Sequence, residues 1–384
     1  MIRRACLLPL ILACAGEPRV SIDEPWADAQ IPAGTPMRFR GDVTGIPRDK
    51  ARLAWDFGNG ANAEGPIATY TFPAEGERGV RLRVFRGTDS VPLVEALRTV
   101  QVLAPAPPGN YALRFLGTGR DDVDRAKIRL DDPADSRPGP PADIGATDFT
   151  IEFWLRADSG ANQTRAVECG PNVAWINGNI VLDRDRYGQD RKFGLSLAGG
   201  LPVFGISGAR SGDLTVCGST KLDDGRWHHL VVTRERATGA IALFVDGRRD
   251  GFAERGPAGD VSYPDKGRPQ NSCGGPCDRS DPFLVLGAEK HDVGPDYPPF
   301  RGDLDELRLS TTIRYRENFT VPTAPFQPDE ATAALYHFDE GAGTLALDSA
   351  TRPGGPSHAL LRRGGTLNGP LWVSSPIPFG QPQQ

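Results

Sequence analysis

The chain is punctuated by short runs of β-branched and aromatic residues, each closed off by Gly, Asp or Pro. The clearest are residues 149–154, 225–230, 243–247, 302–308 and 336–341. Runs of about 5–8 residues bounded in this way read as strands. No sustained i, i+3, i+4, i+7 apolar pattern follows the first residues, so long amphipathic helices are excluded. The 46 glycines and 35 prolines suit a chain that turns often between short strands. The prediction is therefore an all-β protein. A length of 384 residues accommodates two cores. The net charge of −5 with scattered arginines gives no basic stripe, which argues against nucleic acid as a partner.

The N-terminus reads as an export signal. Arg3 and Arg4 are basic, residues 7–13 are apolar, and small residues follow through Gly16. That apolar stretch is too short to span a bilayer permanently. Residues 11–14 (Ile-Leu-Ala-Cys) resemble a bacterial lipobox, with residues 1–13 removed and Cys14 acylated; Ala13-Cys14-Ala15 also fits ordinary secretory cleavage. The lipobox is favoured because the apolar run ends directly on Cys14. With Ala15 following it, resemblance to Gram-negative lipoproteins points to the outer membrane. The expected product is exported, either as an outer-membrane lipoprotein touching the membrane only through its lipid anchor or as a secreted protein.

Two folding units are expected, residues 19–104 and 111–375. A Pro-rich linker at 105–110 joins them, and a Pro- and Gln-rich disordered tail at 376–384 follows. In the first unit, Val80, Leu82 and Val84 alternate with Arg81 and Arg83, the period of a half-buried strand. Gly58-Asn59-Gly60 supplies a tight turn. Together with Trp55-Asp56-Phe57 and the later Ala68-Thr69-Tyr70, this block resembles the PKD domain, an Ig-like β-sandwich. Asn59 and Ala68 stand where that family has Asp and His.

In the second unit Phe149, Ile151, Phe153 and Leu155 form one apolar face. Trp154 falls on the other, where a second sheet, a loop or a ligand must cover it. Trp227-His228-His229, Asp246-Gly247, residues 300–310 and the closing residues 334–343 and 368–372 follow in order. The ordered set resembles the laminin G-like (concanavalin A-like) jelly roll, a two-sheet sandwich used mainly to bind sugars and proteins. The resemblance implies a binding module recognising a glycan or a surface or extracellular protein. It also suggests a structural calcium ion at the sandwich edge, held by Asp305 and Glu306 with Asp121 nearby.

Four cysteines remain beyond Cys6 and Cys14: Cys169, Cys217, Cys273 and Cys277. An even number in an exported chain implies two disulfides, with three possible pairings. The 273–277 segment closes onto itself or onto Cys169. A zinc site would need a second close pair, which Cys169 and Cys217 do not form in sequence. The alternating carboxylates of residues 183–190 loosely suggest a calcium loop but lack the bidentate Glu of an EF-hand; a strand with Asp and Arg on opposite faces is preferred. His228 and His229 are adjacent in a strand, cannot chelate together and read as structural. Trp175, Tyr187, Tyr263 and Tyr297 lie near loop ends, where they either stack on sugars or pack.

No G-x-S-x-G, H-E-x-x-H or E-x-D-x-x-E motif occurs, and alternation would place Asp305 and Glu306 on opposite strand faces. A non-catalytic binder is therefore expected, ahead of an envelope spacer and of a glycan hydrolase on the same sandwich.

Overall fold

The computed structural model describes residues 17–375 except 28, 119–122, 132–138, 187–189, 265–281, 291–295 and 366, together with residues 377 and 379. Regular structure among them is β, broken only by short 3-10 turns at Arg48–Lys50 and Ala174–Asn177. The chain divides into two compact units, one ending at Ala104 and the other beginning at Pro105.

The first unit packs a three-stranded sheet against a five-stranded one. Val80, Leu82 and Val84 point inward and are fully buried, while Arg81 and Arg83 point outward and pair with Glu95. Trp55, Phe39, Phe57 and Phe72 fill the space between the sheets, with Trp55 Nε1 donating to the Gly65 carbonyl at 2.9 Å. The turn after Phe57 needs its glycines: Gly58 and Gly60 have φ of +77° and +87°. Asn59 serves where an aspartate was the family pattern. Its Oδ1 accepts from the Ala61 amide and its Nδ2 donates to the Tyr70 hydroxyl.

Among the described residues the second unit consists of two eight-stranded sheets, every strand pair of which is antiparallel. One sheet centres on Phe149–Arg156, flanked by Trp227–Arg234 and Gly302–Ser310; beyond the latter lie Tyr111–Phe115 and the closing strand Leu371–Ser374. The other carries Lys192–Ala198 and Leu201–Ser207 towards one edge and Arg125–Arg129 with Ala359–Arg362 towards the other. Phe149, Ile151, Phe153 and Leu155 face into the inter-sheet core with Leu195, Phe204 and others, as their alternation predicts. Asp246 and Gly247 take φ of 48° and 75°, the paired positive angles of a tight hairpin.

Trp154, on the outer face, is covered by the protein's own chain. It clusters with Trp227, Phe326 and Ile377, and the Phe379 ring meets it edge-on at 5.8 Å. A free tail from residue 376 is thus corrected at two positions: Ile377 is buried and Phe379 packs against Trp154, because that apolar indole face draws both from water. Residues 376, 378 and 380–384 lie outside the described residues.

The long insertion beginning at Ala157 is pinned in two ways. Cys169 and Cys217 form a disulfide with Cα atoms 5.9 Å apart, tying the insertion to an edge strand. This rules out closure of Cys273 or Cys277 onto Cys169; both of those cysteines lie outside the described residues. Trp175 then lies over Gly194 and Gly205 on neighbouring strands, where any added Cβ would overlap its ring.

Candidate functional site

Three adjacent strands end together at one edge of the sheet that carries Phe149–Arg156. The central one, Gly302–Ser310, carries Asp303 as its second residue. Register places Arg114 opposite Asp303 on one side and Arg156 opposite it on the other. Leu304 faces the inter-sheet core, so Asp303 and both arginines belong to the outer face. Arg114 Nε donates to Asp303 Oδ1 at 2.7 Å and Nη2 to Oδ2 at 3.0 Å; Arg156 donates to Oδ2 from Nε at 3.0 Å and from Nη2 at 2.5 Å. These bonds raise Arg114 above its ordinary value, the Asp303 hydrogen bond being the largest influence. Arg156 also stacks over the Trp227 ring, 5.0 Å from its centroid.

These groups floor a pocket of about 230 Å³, walled also by Phe115, Asp158 and Arg301. The Asp303 side chain is only 3% exposed, whereas Arg114 and Arg156 keep 42% and 23% exposure. Arg301 stands exposed at the mouth. Its backbone is locked to Asn162 by reciprocal bonds of 3.0 and 2.8 Å. Gly117, with φ of +57°, leaves the space that the Arg301 stem occupies. Asp303 uses most of its acceptor capacity on two guanidinium groups. Each guanidinium retains further N–H donors, since arginine has five. The arrangement can therefore present fixed donors to an anion.

None of these residues was singled out in the sequence, because Arg114 and Asp303 are 189 positions apart and only strand pairing joins them.

The predicted calcium residues have other partners. Asp305 is fully buried and accepts from the Ser375 hydroxyl at 2.5 Å and from the Glu306 amide at 2.8 Å. Burial pushes its carboxyl up to about 9, with the nearby Glu306 charge adding to the rise, so it favours a neutral group. Glu306 accepts from the Phe326 amide and pairs with His337 Nδ1, each at 2.9 Å. A cation that needs ionised, open oxygens does not fit this pair. Asp121 lies outside the described residues. Among the described residues no three His, Cys, Asp or Glu side chains gather around a common metal position.

The opposite-face expectation for Asp305 and Glu306 is also corrected. A bulge opposite Phe153 puts both Leu304 and Leu307 into the core and leaves both carboxylates outside it. Glu306 takes φ of 50° to make this possible.

The other candidates are structural. Asp183 accepts from the amides of Asp185 and Lys290, so it serves the backbone rather than an ion; Arg184 stacks inside on Phe193. Trp175 and Tyr263 are buried, which removes them as exposed stacking platforms; Tyr297 is half-buried and Tyr187 is not among the described residues. His228 bridges Asp246 and Asp224 at 2.7 and 3.0 Å. Burial opposes its charge, but the two carboxylates outweigh that and raise it. His229 faces the other way, 3.3 Å from the buried Glu152, which also takes bonds from Arg308 and Tyr315. That network fastens residues 314–326 over the outer face.

The fold defines a concanavalin A-like sandwich preceded by an Ig-like one. Residues 134–317 match the concanavalin A-like lectin/glucanases superfamily through its laminin G branch, and residues 26–102 match the PKD domain; the chain carries both. Such domains are typical of extracellular and surface proteins. The strands Tyr111–Phe115 and Leu371–Ser374 lie beyond the matched span and complete the sheet. Among solved structures, a Bacteroides ovatus protein provisionally described as carbohydrate binding aligns at 13% identity, covering 94% of this chain and 93% of its own, with a TM-score of 0.42. Domains LG4-5 of the mouse laminin alpha1 chain align at 15% identity, covering 68% and 58%, with a TM-score of 0.34. A heptameric pentraxin from Limulus polyphemus aligns at 14%, covering 55% and 80%, also at 0.34. Scores this low carry no argument about a ligand. No curated protein sequence matches. Among the described residues no helix is long and apolar enough to cross a membrane.

Proposed function

We propose that this chain is a non-catalytic binding module of the cell surface, recognising a glycan or protein ligand. It reaches that surface through export and, as Cys14 suggests, acylation at the lipobox. The observation that carries the reading is the edge pocket: a concave site with fixed charged groups on a rigid sheet, at the rim of a fold built for presentation. Binding rather than hydrolysis is favoured because Asp303 is engaged by two arginines instead of being poised to move a proton. The test combines a glycan array with a pull-down from native envelope, using the chain from Cys14 onward. Retention of a defined glycan or protein supports the reading. Capture of nothing favours a spacer, and turnover of a bound glycan favours the hydrolase.

A further inference from the structure

We propose that the edge pocket takes the carboxylate of a uronic-acid residue within an acidic polysaccharide, a reading that rests on the chain being a binding module and names its ligand class. Asp303 is the anchor of the site, not its ligand-facing group. It sits at the floor, buried, and holds Arg114 in a two-point grip and Arg156 through a shared oxygen. The guanidinium planes are thereby fixed before any ligand arrives, which lowers the ordering cost of binding. Both arginines line the pocket and keep N–H groups beyond those spent on Asp303, and a planar carboxylate matches such donors with two parallel bonds.

Charge points the same way. Around the pocket, Arg114, Arg156 and Arg301 carry three positive charges against two negative ones on Asp303 and Asp158, leaving one in excess. That suits a ligand with one negative charge per recognised unit. Asp158 is exposed at the rim and interacts electrostatically with Arg114. As a carboxylate it accepts hydrogen bonds, as from sugar hydroxyls, and it repels a second anionic group. A uronate offers one carboxylate ringed by hydroxyls. A highly sulfated chain or a polyacidic peptide would set further negative charges against Asp158.

The experiment measures binding of the chain from Cys14 onward to oligogalacturonate, alginate and hyaluronan fragments, with methyl-esterified oligogalacturonate, dextran and heparin as comparators. At least one uronate probe should bind, and if it is oligogalacturonate, its methyl ester should bind about tenfold or more weakly. Arg301→Ala, which trims an exposed side chain outside the core, should lose about tenfold while its melting temperature is unchanged. Binding equal to the methyl ester or to dextran overturns the proposal, as does full affinity in Arg301→Ala. Heparin binding tighter than every uronate also overturns it. If the array finds a neutral glycan, or the pull-down a protein, while no uronate binds, this inference fails and the binding-module reading stands. If nothing binds in any format, both fail.

Discussion

The Ser375 hydroxyl donates a 2.5 Å hydrogen bond to Asp305 Oδ2, joining the end of the closing strand to the bulged centre of the sheet. Two consequences follow for a carboxyl so deeply buried. It holds its proton in the folded state up to about 9, against 3.8 in the open chain. Its contribution to stability is thus complete below about pH 3.8 and declines as pH rises towards 9, since only the unfolded chain then loses the proton. Asp305→Asn removes that decline while keeping an acceptor for the Glu306 amide and a donor towards Ser375. The variant should melt close to wild type at pH 4 and above it at pH 8, the gap growing by at most about 1.4 kcal/mol per pH unit. Thermal unfolding at pH 4, 6 and 8, with and without millimolar calcium, tests this. A variant that loses stability at pH 8, or loses a calcium-dependent shift seen in wild type, would restore Asp305 as a cation ligand.

Gly205 is the second point at which one atom decides. An added Cβ would run into Trp175, which lies across both Gly194 and Gly205. Gly205→Ala should therefore cost about 1–3 kcal/mol through overpacking, despite alanine being a better strand residue than glycine. Trp175→Leu should relieve part of that cost in the double variant. Chemical denaturation of both single variants and the pair checks it. Additive losses would show that the indole does not press on this strand.

Much of this framework was legible in the chain itself. Alternation at residues 149–155 placed the core face correctly because side chains on a strand change sides at each step. Asp246-Gly247 and Gly58-Asn59-Gly60 announced turns because few other residues tolerate positive φ. The same logic failed at Glu306, a non-glycine at positive φ whose bulge shifts every later residue by one face. Trp175 stayed open between sugar stacking and loop packing because its glycine bed forms only when two strands pair. The pocket was hidden for the same reason. Arg114, Arg156 and Asp303 are ordinary charged residues until register brings them side by side.

The cysteines give a prediction about covalent structure. Cys169 and Cys217 are joined across 48 residues, and of the two closures expected for the 273–277 segment the one onto itself remains. Mapping of unreduced peptides should recover a Cys169–Cys217 pair and a short Cys273–Cys277 loop. Replacing Cys169 and Cys217 together by alanine should destabilise by about 2–4 kcal/mol, chiefly by freeing the unfolded chain. The effect of removing Cys273 and Cys277 should be smaller, because closing a shorter loop restricts the unfolded chain less. Recovery of any peptide linking Cys169 to Cys273 or Cys277 would refute this arrangement.

The outer face of the sheet supplies the last prediction. Trp154 is 2% exposed, and part of its cover comes from Ile377 and Phe379 beyond the closing strand. Removing the chain after Ser375 keeps the bond to Asp305 but takes away both apolar covers. Trp154 should then meet water, and its emission should move to longer wavelength. The loss of buried apolar area should cost about 1–3 kcal/mol, with Phe379→Ala reproducing roughly half of it. Because the chain holds six tryptophans, the same truncation in a Trp154→Phe background identifies the source: the spectral shift should vanish there. A truncated chain with unchanged emission and an unchanged melting point would mean that residues 315–326 shield Trp154 unaided.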